Sequence, residues 1–191
     1  MKEIVAATNN KGKIEEFYKI LKGYKILTLK EINCSIEVEE DQDSFEGNSR
    51  KKAEEISKAT NMPCIADDSG LCIEAFDGWP GVYSARFLED TPQEQKNQAI
   101  LEKMKDLKGD QRKAKFVCVV TYCENGKCIS ARGEVEGKIA LDPKGENGFG
   151  YDPIFHFEGG ERSFAEFTPE EKNAVSHRGK AVAQFVEFIK S

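Results

Sequence analysis

Cys64-Ile65-Ala66-Asp67-Asp68-Ser69-Gly70-Leu71-Cys72-Ile73 sets two adjacent carboxylates, a hydroxyl and a glycine between two apolar runs. Adjacent aspartates repel and are both ionised at pH 7 at their ordinary pKa. A chain that keeps them near a surface offers them to a cation or to a proton in transit. The spacing predicts strand, tight polar turn, strand, with the acids at a sheet end. Asp, Ser and Gly are also ordinary turn formers, so the stretch alone fits a plain turn equally well. A second group is Thr8-Asn9-Asn10-Lys11-Gly12-Lys13. It follows the apolar run Ile4 to Ala7 and precedes a helix with Ile14, Phe17, Tyr18 and Leu21 on one face. Free amides at a helix start suit a phosphate, and Lys11 and Lys13 add charge. This is not a P-loop, because Ile14 follows Gly12-Lys13 and the first glycine is missing; an Asn-capped helix with solvated lysines is the plain alternative. A third group, Lys172, Ser176, His177 and Arg178, falls on consecutive helix ends, where a capping serine and a surface histidine would also fit.

The elements that must hold these groups are well punctuated. Gly23 closes the first helix and Tyr24 to Leu29 follows as a strand. The acidic run Glu37 to Asp43 leads into a helix capped by Ser44 and carrying Lys52, Ile56 and Ala59, so at least one acid is delivered to a fixed helix start. Asp77 to Ser84, with two glycines, a proline and the only tryptophan, makes an ordered loop. Thr91-Pro92 opens a structural helix with proline at its first position, reaching to Gly109. Lys115 to Cys123 and Cys128 to Val135 form a hairpin about Asn125-Gly126, with the first strand apolar on both faces and therefore central. Asp142 to Pro153 is a long loop, Gly-rich around Phe149 and Tyr151, of a length that is usually functional or disordered. Thr168-Pro169-Glu170-Glu171 starts a short helix with a capping box, and a last helix turns Val182, Phe185, Val186 and Ile189 inward.

The 191 residues, 39% of them hydrophobic, suit one globular domain with a real core. A net charge of -6 argues against a broad nucleic-acid or anionic-membrane surface, so any phosphate ligand should be small. Six cysteines without a CxxC pair, and only two histidines, suggest buried reduced thiols rather than a zinc site or a secreted disulfide framework. Ile4 to Ala7 is too short for a signal-peptide core or a membrane span, which predicts a cytoplasmic protein.

Carboxylate oxygens suit Mg²⁺, which takes one or two protein carboxylates and completes its shell with water and substrate phosphates. Nucleoside triphosphate therefore fits the inventory: phosphates at Lys13 and the loop amides, metal at Glu39 or Glu40 and Asp68, base near Phe149. Five segments taken in order go further. Residues 8–13, 66–71, 80–86, 148–153 and 171–178 resemble the successive motifs of the inosine triphosphate pyrophosphatase family, the XTP/dITP diphosphatases, over the whole chain. The resemblance implies an α/β fold, an elongated mixed β-sheet with flanking helices in two lobes and the site in the cleft between them. It implies one domain over 1–191, a homodimer, and Mg²⁺-dependent hydrolysis of ITP, dITP and XTP to the monophosphate and pyrophosphate. Carried over by motif, Thr8, Asn9, Asn10, Lys11, Gly12 and Lys13 contact the triphosphate. Asp68 is the catalytic acid-base residue and a metal ligand with Glu39, Glu40 competing for that place. Ser69, Phe149, Gly150, Tyr151, Asp152, Lys172, His177 and Arg178 contact substrate, Lys172 and Arg178 donating to the 6-oxo group of the base.

Asn9 departs from the glycine of many members; it either crowds the phosphate or occupies the left-handed conformation that Asn tolerates. An Asp near its ordinary pKa is a weak base at neutral pH, so Asp68 is expected to orient water rather than deprotonate it beforehand, and as a surface carboxylate to matter little for stability. Two rivals stand beside this reading. A Maf-like nucleotide pyrophosphatase would carry serine and paired arginines in the N-terminal loop, which this chain lacks. A non-catalytic nucleotide sensor would be expected to have lost the carboxylates, which are present.

Overall fold

β1 (Lys2–Ala6) and β2 (Tyr24–Thr28) pair in parallel, with Ile4 opposite Ile26, and α1 (Lys11–Ile20) forms the crossover. The Asn10 side chain accepts the Lys13 amide and caps α1, as the Asn-rich loop predicts. Ser44 likewise caps α2 (Phe45–Thr60) by accepting the Gly47 amide, and Asn61 ends that helix in the left-handed region. The chain then crosses to the other side of β1, where β3 (Cys64–Ile73) pairs with it in parallel. After α3 (Gln93–Lys103) come β4 (Lys113–Glu124), β5 (Lys127–Ile139), β6 (Phe155–Phe157), α4 (Pro169–Val175) and α5 (His177–Lys190). The sheet is mixed and six-stranded, in the order β2-β1-β3-β4-β5-β6, with helices on it, an α/β fold. The computed structural model describes residues 1–158 and 160–190, the side chains of Ile189 and Lys190 excepted, so the inward place expected of Ile189 lies outside it.

The chain divides into two compact units. The first is Met1–Asp68, Cys118–Gly133 and Arg178–Ser191, and the second is Ser69–Val117 with Glu134–His177; β3, β4 and β5 contribute to both. In the first unit the sheet is covered on both faces. Ile4, Ala6 and Ile65 pack with Phe17 and Leu21 of α1 and Val182 and Phe185 of α5, while Val5, Cys64 and Ala66 pack with Ala53 and Ile56 of α2. The second unit has its own core of Leu71, Ile73, Ile100, Met104, Phe116, Phe155 and Phe164.

Three expectations are corrected. The central stretch is one continuous ten-residue strand with no turn at Asp67 to Gly70, and Gly70 takes no positive φ. Cys123 and Cys128 are joined in a disulfide rather than being free thiols. The Asn125-Gly126 turn, both residues at positive φ, places them directly opposite, with Cα atoms 4.2 Å apart. Pro92 caps α3 rather than opening its first turn, and the helix ends at Lys103, short of Gly109.

Arg112, buried, closes the end of α3 onto the end of β5. Its guanidinium donates to the carbonyls of Met104 at 2.7 Å, Leu107 at 3.1 Å and Ile139 at 2.8 Å, and also to that of Ala140. Buried carbonyls left without donors cost roughly 1–3 kcal/mol each. Arg112→Met is therefore expected to lower unfolding free energy by at least about 3 kcal/mol in urea titration. A loss under about 1 kcal/mol would show that water replaces the guanidinium without penalty.

Candidate active site

Because side chains alternate along a strand, the adjacent aspartates of β3 face opposite ways. Asp67 lies on the face of Ile65, toward α1 and α5, and Asp68 on the face of Cys64 and Ala66, toward α2. They do not form one carboxylate pair.

Asp67 is completely buried. Lys13 Nζ of α1 stands 3.0 Å from its Oδ2 and Arg178 Nη2 of α5 stands 2.9 Å from the same atom. The other terminal nitrogen of Arg178 pairs with Glu16 of α1. Burial alone would raise the Asp67 pKa, but Lys13, Arg178 and Lys52 together hold the carboxyl well below the usual carboxylate range. Arg178, 1% exposed, is thus a core cation paired with two carboxylates.

Asp68 is also buried and not the surface carboxylate expected. Asn48 Nδ2 of α2 donates to its Oδ2 at 2.9 Å. Burial pushes its pKa up to about 6; Lys52 and Lys13 oppose the rise and neighbouring Glu40 adds to it. At that value Asp68 is a more effective base at neutral pH than the sequence implied. Lys52 Nζ pairs with Glu40 and donates to the Asp67 carbonyl at 2.6 Å. Burial would lower the Lys52 pKa, but Asp67, Glu40 and Asp68 keep it raised.

The acid delivered by the run before α2 is therefore Glu40, which is half-buried beside Lys52. Glu39 is exposed, and its carbonyl accepts from Lys51. A cavity of about 310 Å³ is lined by Thr8, Asn9, Glu37, Glu40 and Lys52 among others, so one hollow joins the end of β1 to the acidic segment. It lies where β1 is flanked by β2 on one side and β3 on the other, the switch point at which open α/β sheets bind ligands. Asn9, Asn10 and Lys11 are exposed there, Gly12 and Lys13 half-buried, and Asn9 is not in the left-handed region.

The Asp68 and Glu40 oxygens are hard donors whose mutual repulsion a divalent cation would relieve. Among the described residues no group of three or more His, Cys, Asp or Glu is arranged for a metal. Two carboxylates with water and phosphate suffice for Mg²⁺.

The second unit holds the other predicted group. Lys172 of α4 is buried with its Nζ 2.6 Å from Asp152 Oδ2 and 4.7 Å from the Phe149 ring centre. The Phe149 amide donates to that same Asp152 oxygen at 2.9 Å. A Cβ on Gly148, at φ +72°, would come within 2.1 Å of it, so only glycine lets the loop close over the carboxylate. Asn97 of α3 donates to the Gly150 carbonyl at 3.2 Å, and the buried His177 ring stacks on Phe116 at 4.8 Å. Ser69, half-buried, follows Asp68 on β3. Lys52, Asn48 and Glu16 were missed. Only a lysine and an asparagine four apart on the inner side of a Ser-capped helix, at 48 and 52, signalled two of them.

The two aspartates should respond oppositely to neutralisation. A folded-state pKa near 6 means that Asp68 binds more protons in the native than in the unfolded state between about pH 4 and 6. Its contribution to stability is full below that window and lost as pH rises through it. Metal-free Asp68→Asn is therefore expected to melt at or above the parent at pH 7.5, with the advantage fading by pH 5. Asp67→Asn strands Arg178 and Lys13, at a cost of roughly 3–5 kcal/mol. Equal melting shifts for the two variants at pH 7.5 would overturn this assignment.

The chain is similar to known proteins over nearly its whole length. A Ham1 family model matches residues 4–188. The dITP/XTP pyrophosphatase of Bacillus subtilis is 42% identical over 195 residues, covering 100% of this chain and 98% of that protein. The protein of the same name from Dictyoglomus thermophilum is 44% identical over 192 residues, covering 97% and 93%. Of solved structures, the Staphylococcus aureus Ham1 protein superposes with a TM-score of 0.87 at 38% identity, covering 99% of this chain and 98% of that one. A HAM1 protein from Coxiella burnetii superposes at 0.89 with 37% identity, covering 100% and 99%. Agreement of this extent in sequence and in fold leaves one conclusion: the chain belongs to the Ham1 family.

Proposed function

We propose that the protein hydrolyses non-standard purine nucleoside triphosphates, ITP, dITP and XTP, to the monophosphate and pyrophosphate. The observation that carries this reading is the hollow shared by Thr8, Asn9, Glu40 and Lys52, with Asp68 held by Asn48 beside Lys52 and Glu40. The dITP/XTP pyrophosphatases at 42–44% identity support it. Residues 8–12 receive the triphosphate, with Lys52 as a cation, while Lys13 stays on Asp67. Phosphoryl transfer of this kind needs positioning and charge neutralisation rather than a protein nucleophile. Asp68 and Glu40 are the residues that would hold Mg²⁺, which when bound supplies positive charge at the phosphates. Asp68 takes the proton of the water that attacks the α-phosphorus, and pyrophosphate leaves. Lys172, held by Asp152 beside Phe149, presents donors to a 6-oxo base.

The chain acts as a single nucleotide pyrophosphatase domain, a homodimer in the cytoplasm, without nucleic-acid or membrane partners. Its net charge of -6 and the lack, among the described residues, of any helix long and apolar enough to cross a membrane are consistent with this.

With Mg²⁺ and ITP, phosphorus NMR is expected to give one pyrophosphate per IMP, with ¹⁸O from labelled water in the IMP. Orthophosphate and IDP as first products would contradict the reading. Lys172→Met is expected to lower kcat/KM for ITP by about 100-fold or more and to narrow the ITP to ATP ratio, because the donor that rejects a 6-amino group is gone. An equal fall for both nucleotides would remove Lys172 from base recognition.

A further inference from the structure

The segment Pro80-Gly81-Val82-Tyr83-Ser84-Ala85-Arg86 has no part in the chemistry above, yet in the second unit it stands between the second half of β3 and the loop that carries Phe149 and Asp152. Along the second half of β3 it continues the ladder. The Ile73 amide donates to the Trp79 carbonyl at 3.1 Å, Cys72 bridges to Pro80, and the Leu71 amide donates to Ser84 Oγ at 2.9 Å. Ser84 Oγ in turn donates to the Gly81 carbonyl at 2.6 Å, which locks the short turn Gly81–Tyr83. On its other side the Ser84 carbonyl accepts the Tyr151 hydroxyl at 2.5 Å. Ser84 and Tyr151 are both buried.

Tyr151 lies between Gly150 and Asp152, in the loop whose Phe149 and Asp152 surround Lys172. That loop has few regular bonds of its own: residues 141–151 form no strand or helix, and Gly145, Gly148 and Gly150 all take positive φ. Glycines lower the barrier to alternative backbone paths, so a loop of this kind keeps one shape only where side chains pin it. The Tyr151 hydroxyl is such a pin. Its ring is buried in the core with Ile154 and Phe155, so its polar end is placed by packing and has a fixed acceptor three residues C-terminal to Gly81.

We propose that Tyr151 is a positioning residue, not a substrate contact, and that the Tyr151–Ser84 bond ties the base-recognition loop to the segment that ladders onto residues 71–73 of β3. This rests on the reading of Lys172 and Phe149 as the base site. Its consequence is specific to affinity and discrimination: loosening the loop weakens the pocket around the base and leaves the groups at the phosphates in place. Loss of one buried neutral hydrogen bond corresponds to a factor of about three to ten.

The test is steady-state kinetics of Tyr151→Phe with ITP and ATP, normalised to the folded fraction, alongside Lys172→Met and the double variant. Tyr151→Phe keeps the ring, and the expected result is a KM for ITP about three- to tenfold higher, kcat within about twofold, and a smaller ITP to ATP ratio. In the double variant the Tyr151→Phe effect should shrink toward nothing, because the pinned contact is already lost. An unchanged KM, or an equal loss of kcat on both nucleotides, would overturn the proposal. Should Tyr151→Phe not fold, Tyr151→Met, which keeps an apolar side chain in the core and also removes the hydroxyl from the Ser84 carbonyl, carries the same expectation and the same refutation. If Lys172→Met leaves the ITP to ATP ratio unmoved, the base-site reading itself has failed. If it moves the ratio and Tyr151→Phe does not alter KM, only the present proposal has.

Discussion

The first unit depends on the burial of Asp67. A carboxylate fully removed from water is tolerated only when cations and hydrogen bonds replace its hydration, and here Lys13 and Arg178 do so from two different helices. That requirement fixes α1 and α5 against the same face of β3, because neither cation can withdraw without leaving the charge uncompensated. It also explains why the loop after β1 is short and ends in an Asn cap. Lys13 must reach inward from the first turn of α1 while Asn9 and Lys11 stay exposed.

The same strand then separates two electrostatic regimes one residue apart. Asp67 is surrounded by cations and stays ionised; Asp68, on the other face, is raised in proton affinity by burial and by Glu40, against the pull of Lys52, the Asn48 amide and Lys13. Lys52 touches both regimes, through the backbone carbonyl of Asp67 on one side and Glu40 on the other. A carboxylate held ionised and one of raised proton affinity are thus built from the same dipeptide by strand alternation, and the two environments cannot be exchanged by shifting the register.

Much of this was legible in the sequence where the signal is local. The caps at Asn10, Ser44 and Thr168 and the Asn-Gly hairpin follow from side chains acting within a few residues of themselves, and each stands where it was expected. The errors came where a distant partner decides. Asp67 to Gly70 has turn composition, and a turn would form if the carboxylates had to stay in water; Asn48, Lys13 and Arg178, distant in sequence, make an extended buried strand the better solution. Cys123 and Cys128 meet because of the hairpin register, which spacing alone does not reveal. Glu39 and Glu40 differ only in which neighbour faces Lys52, a fact of helix orientation absent from an unpatterned acidic run.

Arg178 is held by charge on both sides. Its two terminal nitrogens pair with Glu16 and Asp67, and removing the guanidinium would strand two buried carboxylates. Lys172 is differently placed. An ammonium has three donors and no fixed plane, and its Asp152 partner is held by the Phe149 amide, so the charge is balanced and aimed by the same short loop. The loop that balances the lysine is also bonded from outside, by the Ser84 carbonyl to Tyr151 and by Asn97 to the Gly150 carbonyl. On the reading proposed above, base preference is a property of loop geometry as much as of the lysine, and Gly148, where a Cβ would meet the Asp152 carboxylate, constrains that geometry.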